Sequence, residues 1–219
     1  MKIKDRVKPK APTVEPGVYV GICIGIIDLG EQYSEKYKNY SNKIQIVFEL
    51  PTETIEVDGK QEAKQLSKTF NVAAKVGSKF RDFISAWNGK AYSDDDFCDL
   101  ELFEQLGKPC MLNVVNSESG EYSNIETVMP LIKGMPVPES HTEYIRWDMD
   151  AWNDELFRKL PEWVQDNIKK STQYQKEHAP NTSVEVKSEV PAQAIHQSPA
   201  AEGWRQVAAP TGTEGVCPI

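Results

Sequence analysis

The chain has 219 residues, 39% of them hydrophobic and 26% charged, with a net charge of -8. That balance fits one well-cored domain with polar appendages. No apolar run approaches the ~18 residues of a spanning helix, so a membrane protein is not expected.

Charge is unevenly spread. Residues 1–90 carry 15 Lys/Arg against 11 Asp/Glu, residues 91–138 carry 2 against 9, and residues 139–219 carry 8 against 13. A basic surface on the first third is therefore compatible with overall acidity, because screening over about 8–10 Å lets the local balance act. The basic start, MKIKDRVKPKAP, leads into no apolar stretch before Gly17, which points to a cytoplasmic chain rather than a secreted one. Cys23, Cys98, Cys110 and Cys217 have no paired spacing and read as small buried hydrophobes, not as disulfides or zinc ligands.

Residues 1–16 form a basic, proline-containing arm expected to be flexible. Gly17 to Leu29 alternates strictly, with Val18, Val20, Ile22, Ile24 and Ile26 on one face, and reads as the first strand. Lys43 to Leu50 repeats the pattern with Ile44, Ile46 and Phe48 inward, and Pro51 is expected to end it. Thr54–Val57 and Gln65–Val72 flank the turn dipeptide Asp58-Gly59, the second arm being the third strand. Ser78 is a fit N-cap for a helix carrying Phe80, Phe83, Ile84 and Trp87 on one face, stopped by Asn88-Gly89. The acidic SDDDFCD stretch reads as a solvated loop, and Leu100–Leu106 as a short helix closed by Gly107. Two further strands, Pro109–Val115 and Glu121–Met129, form a hairpin.

Beyond residue 138 comes a helical segment, 139–177, with Leu156, Leu160, Trp163, Val164 and Ile168 on one stripe and a break at Pro161. Residues 178–219 are rich in Ala, Pro, Ser and Thr without periodicity, and read as a disordered tail.

Three strands, a helix, then two strands is the element order of the five-stranded OB-fold, a Greek-key barrel with its helix between strands three and four. The expected class is thus mainly β with helices (β+α), the barrel spanning residues 17–138. The loop between the first two strands, Leu29–Asn42, would lie beside the binding face. It interleaves Tyr33, Tyr37 and Tyr40 with Lys36 and Lys38, and Lys43 follows. Single-strand binding needs flat aromatic faces for bases and cations for phosphates, so these six residues form the first candidate nucleic-acid site. Lys64 and Lys68 on the third strand and Tyr122 beside the last turn join them. Trp87 completes the helix stripe and reads as core.

Catalytic signals are weak. His141, His178 and His196 fall beyond the barrel, and the chain has no metal-ligand spacing, phosphate-cradling glycine loop or nucleophile elbow. No enzyme activity, cofactor or metal is expected. A binding module for a polypeptide, using the same rim, is the competing class.

The stretches GVYVGICIGIIDLGEQYSEKYKNYSNKIQIVFELP, LSKTF and CMLNVVNSESGEYSNIETVMPLIKGMP, with the helical end LPEWVQDNIKKSTQY, resemble a group of small proteins encoded in phage and prophage replication regions of Gram-positive bacteria. That resemblance, covering about residues 16–175, implies an OB-fold single-stranded DNA-binding protein of bacteriophage DNA replication and recombination. It implies single-stranded DNA as ligand, with RNA not separated from it, and phage or host replication proteins as partners. The terminus GTEGVCPI lacks the acidic, aromatic tip by which many such proteins recruit partners.

Overall fold

A computed structural model describes residues 12–57 and 59–178. The fold is mainly β: six strands form one sheet in the order β3-β2-β1-β4-β5, with β6 paired to β1 off that path. The strands are β1 (Gly17–Ser34), β2 (Asn39–Val57), β3 (Lys60–Asn71), β4 (Pro109–Asn116), β5 (Ser123–Pro130) and β6 (Ile145–Trp147). Pairing is antiparallel throughout, except between β6 and β1.

β1 organises the sheet because it is long enough to serve several partners. One edge pairs with β4 over residues 17–22 and then with β6 over residues 25–27. The other edge pairs with β2 from Ile22 to Ser34. A register shift between Cys23 and Gly25 swaps the side-chain faces partway along. This corrects the expected alternation. Before the shift the inward residues are Tyr19, Gly21 and Cys23, while Val18, expected inward, is exposed; after it Ile26 enters the same core. Gly21 is required where it stands, since a Cβ there would lie 2.5 Å from Leu112 Cδ1.

Two other boundaries differ from expectation. β2 does not stop at Pro51 but runs on to Val57, and the irregularity between Leu50 and Thr54 absorbs the proline that a regular ladder would reject. The segment Leu29–Asn42 is mostly paired strand, only residues 35–38 forming the turn. Of the expected turn dipeptide Asp58-Gly59, Asp58 lies outside the described residues, as do most of the N-terminal arm and the tail from 179, with Cys217, His196 and Trp204.

Helix α1 (Lys79–Asn88) forms as its stripe and caps predict. Ser78 Oγ accepts from the Arg81 amide, and Gly89 closes the C-terminus at φ 59°. Its Phe80, Phe83, Ile84 and Trp87 pack against Phe48 and Phe70, with Phe48–Trp87 ring centroids 5.1 Å apart. The helix lies against β3 and β5. These two strands face each other without a ladder, so the sheet is not closed. The Lys68 ammonium crosses that seam to the carbonyls of Ile125 (2.6 Å) and Glu126 (3.2 Å). Residues 12–14 close it further: Lys64 donates to the Pro12 carbonyl and the Val14 amide to Ser123 Oγ at 3.0 Å.

The acidic stretch expected as a loop is instead a short helix, α2 (Asp94–Cys98). Ser93 caps it, and buried Arg81 holds it by donating to Asp94 and to the Tyr92 carbonyl while lying over the Phe97 ring. A 3-10 turn at Leu102–Gln105 follows, shorter than the expected helix. Cys23 and Cys110 are buried free thiols, with burial pushing Cys23 up to about 12, whereas Cys98 is exposed on α2 and disulfide-bonded, against the expectation of a buried thiol.

The segment after residue 144 packs on the outer face of β1. Helices α3 (Asp154–Lys159), α4 (Glu162–Ile168) and α5 (Thr172–His178) bury Phe157, Leu160, Val164 and Ile168 against Ile27, Leu29 and Trp147 as a second core. Leu156 and Trp163, expected on the buried stripe, are exposed, because the break before Pro161 turns α4 relative to α3. Among the described residues no helix is long and apolar enough to cross a membrane.

Candidate nucleic-acid interface

The arm formed by the ends of β1 and β2 carries most of the expected residues. It begins at a second irregularity, between Asp28 and Gly30, where Gly30 adopts φ 70° and donates its N–H to the Asp28 carboxylate at 2.8 Å. Beyond it Gln32 pairs with Ser41, Tyr33 with Tyr40 and Ser34 with Asn39. Cross-strand partners share a face, so Tyr33 and Tyr40 stand side by side with ring centroids 5.0 Å apart and planes tilted 53°. The Lys38 amide closes the turn onto the Ser34 carbonyl at 2.7 Å.

These aromatics are not absorbed by the core. Tyr33 is 44% exposed, Tyr40 57% and Tyr37, in the turn, 67%. The Lys36 ammonium lies 5.2 Å from the Tyr37 ring centroid, and Lys38 is also exposed. Lys43 is half-buried at the base of the arm, opposite Asn71 of β3. The arm is braced from outside: Gln32 donates to the Asn167 carbonyl (3.0 Å), the Glu31 amide to Gln173 (2.9 Å), and Thr172 to the Glu31 carboxylate (2.8 Å).

The two β3 lysines sit differently. Lys64 is 6% exposed and Lys68 half-buried, and burial pulls both ammonium groups below the usual lysine range. Both ammonium groups donate to backbone carbonyls across the seam. Tyr122 is 64% exposed in the turn before β5, where Ser117 bonds both its amide and its carbonyl. Its turn lies beyond the Gly17 end of β1, where Ser123 bonds Val14, whereas the arm is the Ser34 end of that strand.

Residue reasoning missed the ground between these sites. The outward row of β3 is Gln65, Ser67, Thr69 and Asn71, facing Lys43 and Gln45 of β2: polar, mostly uncharged, and legible from the alternation in KQLSKTFN. It also missed buried Glu49, whose carboxylate accepts from the His141 amide at 2.8 Å and from Ser140, pinning the connector after β5 over β2. Among the described residues no cluster of His, Cys, Asp and Glu is arranged to hold a metal ion. Comparison with protein-family models, curated proteins and solved structures returned no match.

Proposed function

We propose that this chain is an OB-fold protein that binds single-stranded DNA without catalysis and serves bacteriophage DNA replication or recombination. The observation that carries the reading is the arm. Three tyrosines 44–67% exposed, Tyr33 and Tyr40 side by side, stand with Lys36, Lys38 and Lys43 on a hairpin braced by hydrogen bonds. Exposed aromatic faces gain nothing from the core, whereas each stacked base contributes about 1–3 kcal/mol. The strand order, the helix between third and fourth strands and the bridged seam between β3 and β5 support the barrel assignment.

In this mechanism Tyr33, Tyr37, Tyr40 and Tyr122 stack bases while Lys36, Lys38 and Lys43 follow the phosphates, releasing counterions as they do so. A fluorescence anisotropy titration with labelled oligo-dT, a matched duplex and an RNA at two salt concentrations tests it. The expected result is salt-sensitive binding of single strands over duplex. A folded protein that binds none of the three would overturn the reading and leave the rim to a polypeptide partner.

A further inference from the structure

The turn before β5 presents an aromatic ring among charges of the wrong sign for a phosphate. Tyr122 is exposed and its backbone is fixed: the Ser117 amide donates to its carbonyl at 2.8 Å, and its own amide donates to Ser117 Oγ at 3.2 Å. In the same turn Glu118 is exposed and Glu121 half-buried. Lys36, Lys38 and Lys43 do not offset them. They stand toward the other end of an 18-residue strand, beyond the about 8–10 Å over which surface charges act through salt. Lys64 is 6% exposed and donates into the seam. A base stacked on Tyr122 would therefore bring its phosphates against two carboxylates.

The cations this turn lacks lie in the sequence just before Pro12. Residues 12–14 run between Lys64 and Ser123: Lys64 donates to the Pro12 carbonyl, the Val14 amide to Ser123 Oγ at 3.0 Å, and Val14 is buried in the main core. Those bonds fix the point from which MKIKDRVKPKA departs, two residues from the partner of Ser123, and that stretch carries five Lys/Arg against one Asp. Four extended residues span at most about 14 Å, so Lys10 is within reach of the turn from Val14. We propose that residues 2–10 lie over the Glu118–Tyr122 turn and supply the phosphate-binding half of a second contact, clamping a strand whose base stacks on Tyr122. The inference rests on the single-strand reading given above and adds a station at the Gly17 end of β1 to the arm at the Ser34 end. Charge complementarity selects this seat: five cations face Asp5, Glu118 and Glu121, so the carboxylates are offset and the path stays positive.

A variant carrying Lys2→Gln, Lys4→Gln, Arg6→Gln, Lys8→Gln and Lys10→Gln keeps Pro12 and Val14, which hold the seam, so it should melt with the parent. Both are titrated at several salt concentrations with labelled oligo-dT of about twenty nucleotides, longer than the about 4–16 that one such fold covers. The salt slope of the glutamine variant should be shallower by at least about 1.4, two phosphate contacts at about 0.7 each in a single strand. Tyr122→Ala should weaken the parent at least about fivefold, the low end for one stacked base. In the glutamine background Tyr122→Ala should have no further effect, because the strand no longer passes the turn. Tyr37→Ala, at the other station, should lose the same factor in both backgrounds. An unchanged slope, or equal losses from Tyr122→Ala with and without the five cations, overturns the second station while leaving the arm as a binding site. A parent that binds no single strand sinks both readings.

Discussion

Lys38 holds a left-handed backbone, φ 53°, that an L-residue with a side chain adopts at a cost of about 1–2 kcal/mol. Replacing it with glycine separates charge from conformation. Lys38→Gly should melt no lower than the parent yet flatten the salt dependence of oligo-dT binding by about one unit of slope. Tyr37→Ala should lose affinity worth about 1–3 kcal/mol with the slope unchanged, since a ring releases no counterions. Equal slopes in all three proteins would remove Lys38 from the phosphate path. Asp28 offers a pH test. Burial holds its carboxyl above the ordinary range despite amide donation from Gly30 and Met149, and Asp148 and Asp150 push the same way. The folded chain therefore takes up this proton first as pH falls. The group adds stability below its unfolded value near 3.8 and that contribution is lost as pH rises through the higher folded value. Asp28→Asn keeps the acceptor for Gly30, so it should raise the melting temperature at pH 7 by a margin that vanishes toward pH 4. A margin independent of pH would exclude titration as its cause. Lys64 and Lys68 share the row of Leu66 and Phe70, so strand parity alone turns them inward.

Among the elements, α1 was the most legible, because its signals are local. A capping serine, a stripe at helical spacing and a terminal glycine act within a dozen residues, and all three operate as expected. Trp87→Ala should cost about 3–5 kcal/mol, removing a side chain 3% exposed between Phe48 and Phe83. Ser78→Ala should cost about 1 kcal/mol, the typical loss of an N-cap. Urea titrations of the two variants check both, and a Trp87→Ala protein as stable as the parent would mean the helix does not seal the core. What stayed hidden depended on distant partners. Arg81, thirteen residues before Asp94, ties α2 to α1, in addition to the local Ser93 cap. β6 has three residues and is a strand only because β4 leaves the edge of β1 unpaired after Ile22. The reach of β1 and β2 past Leu29 was obscured by Gly30 and the polar arm, yet Tyr33 and Tyr40 are good strand residues once they face each other.

At the scale of the molecule, the two cores share one strand. β1 sends Cys23 and Ile26 into the cluster beneath α1, and Ile27 and Leu29 into the cluster beneath α3–α5, so neither face of this strand can be abandoned alone. The same helices brace the arm through Glu31 and Gln32, which couples the outer core to the tyrosines that carry the proposed binding. Shared burial on a single strand predicts one cooperative unfolding transition. Leu112→Ala in the first cluster and Ile168→Ala in the second, both fully buried, should each cost about 2–5 kcal/mol and shift that single transition without splitting it. Far-ultraviolet circular dichroism and tryptophan emission should then report the same urea midpoint in each protein. Ile168→Ala should also weaken oligo-dT binding before it unfolds the chain, because the arm loses its brace, whereas Leu112→Ala should lose binding only together with folding. Two separate midpoints in the Ile168 variant, with strand affinity intact, would show that the helical segment is an independent unit and that the arm stands without it.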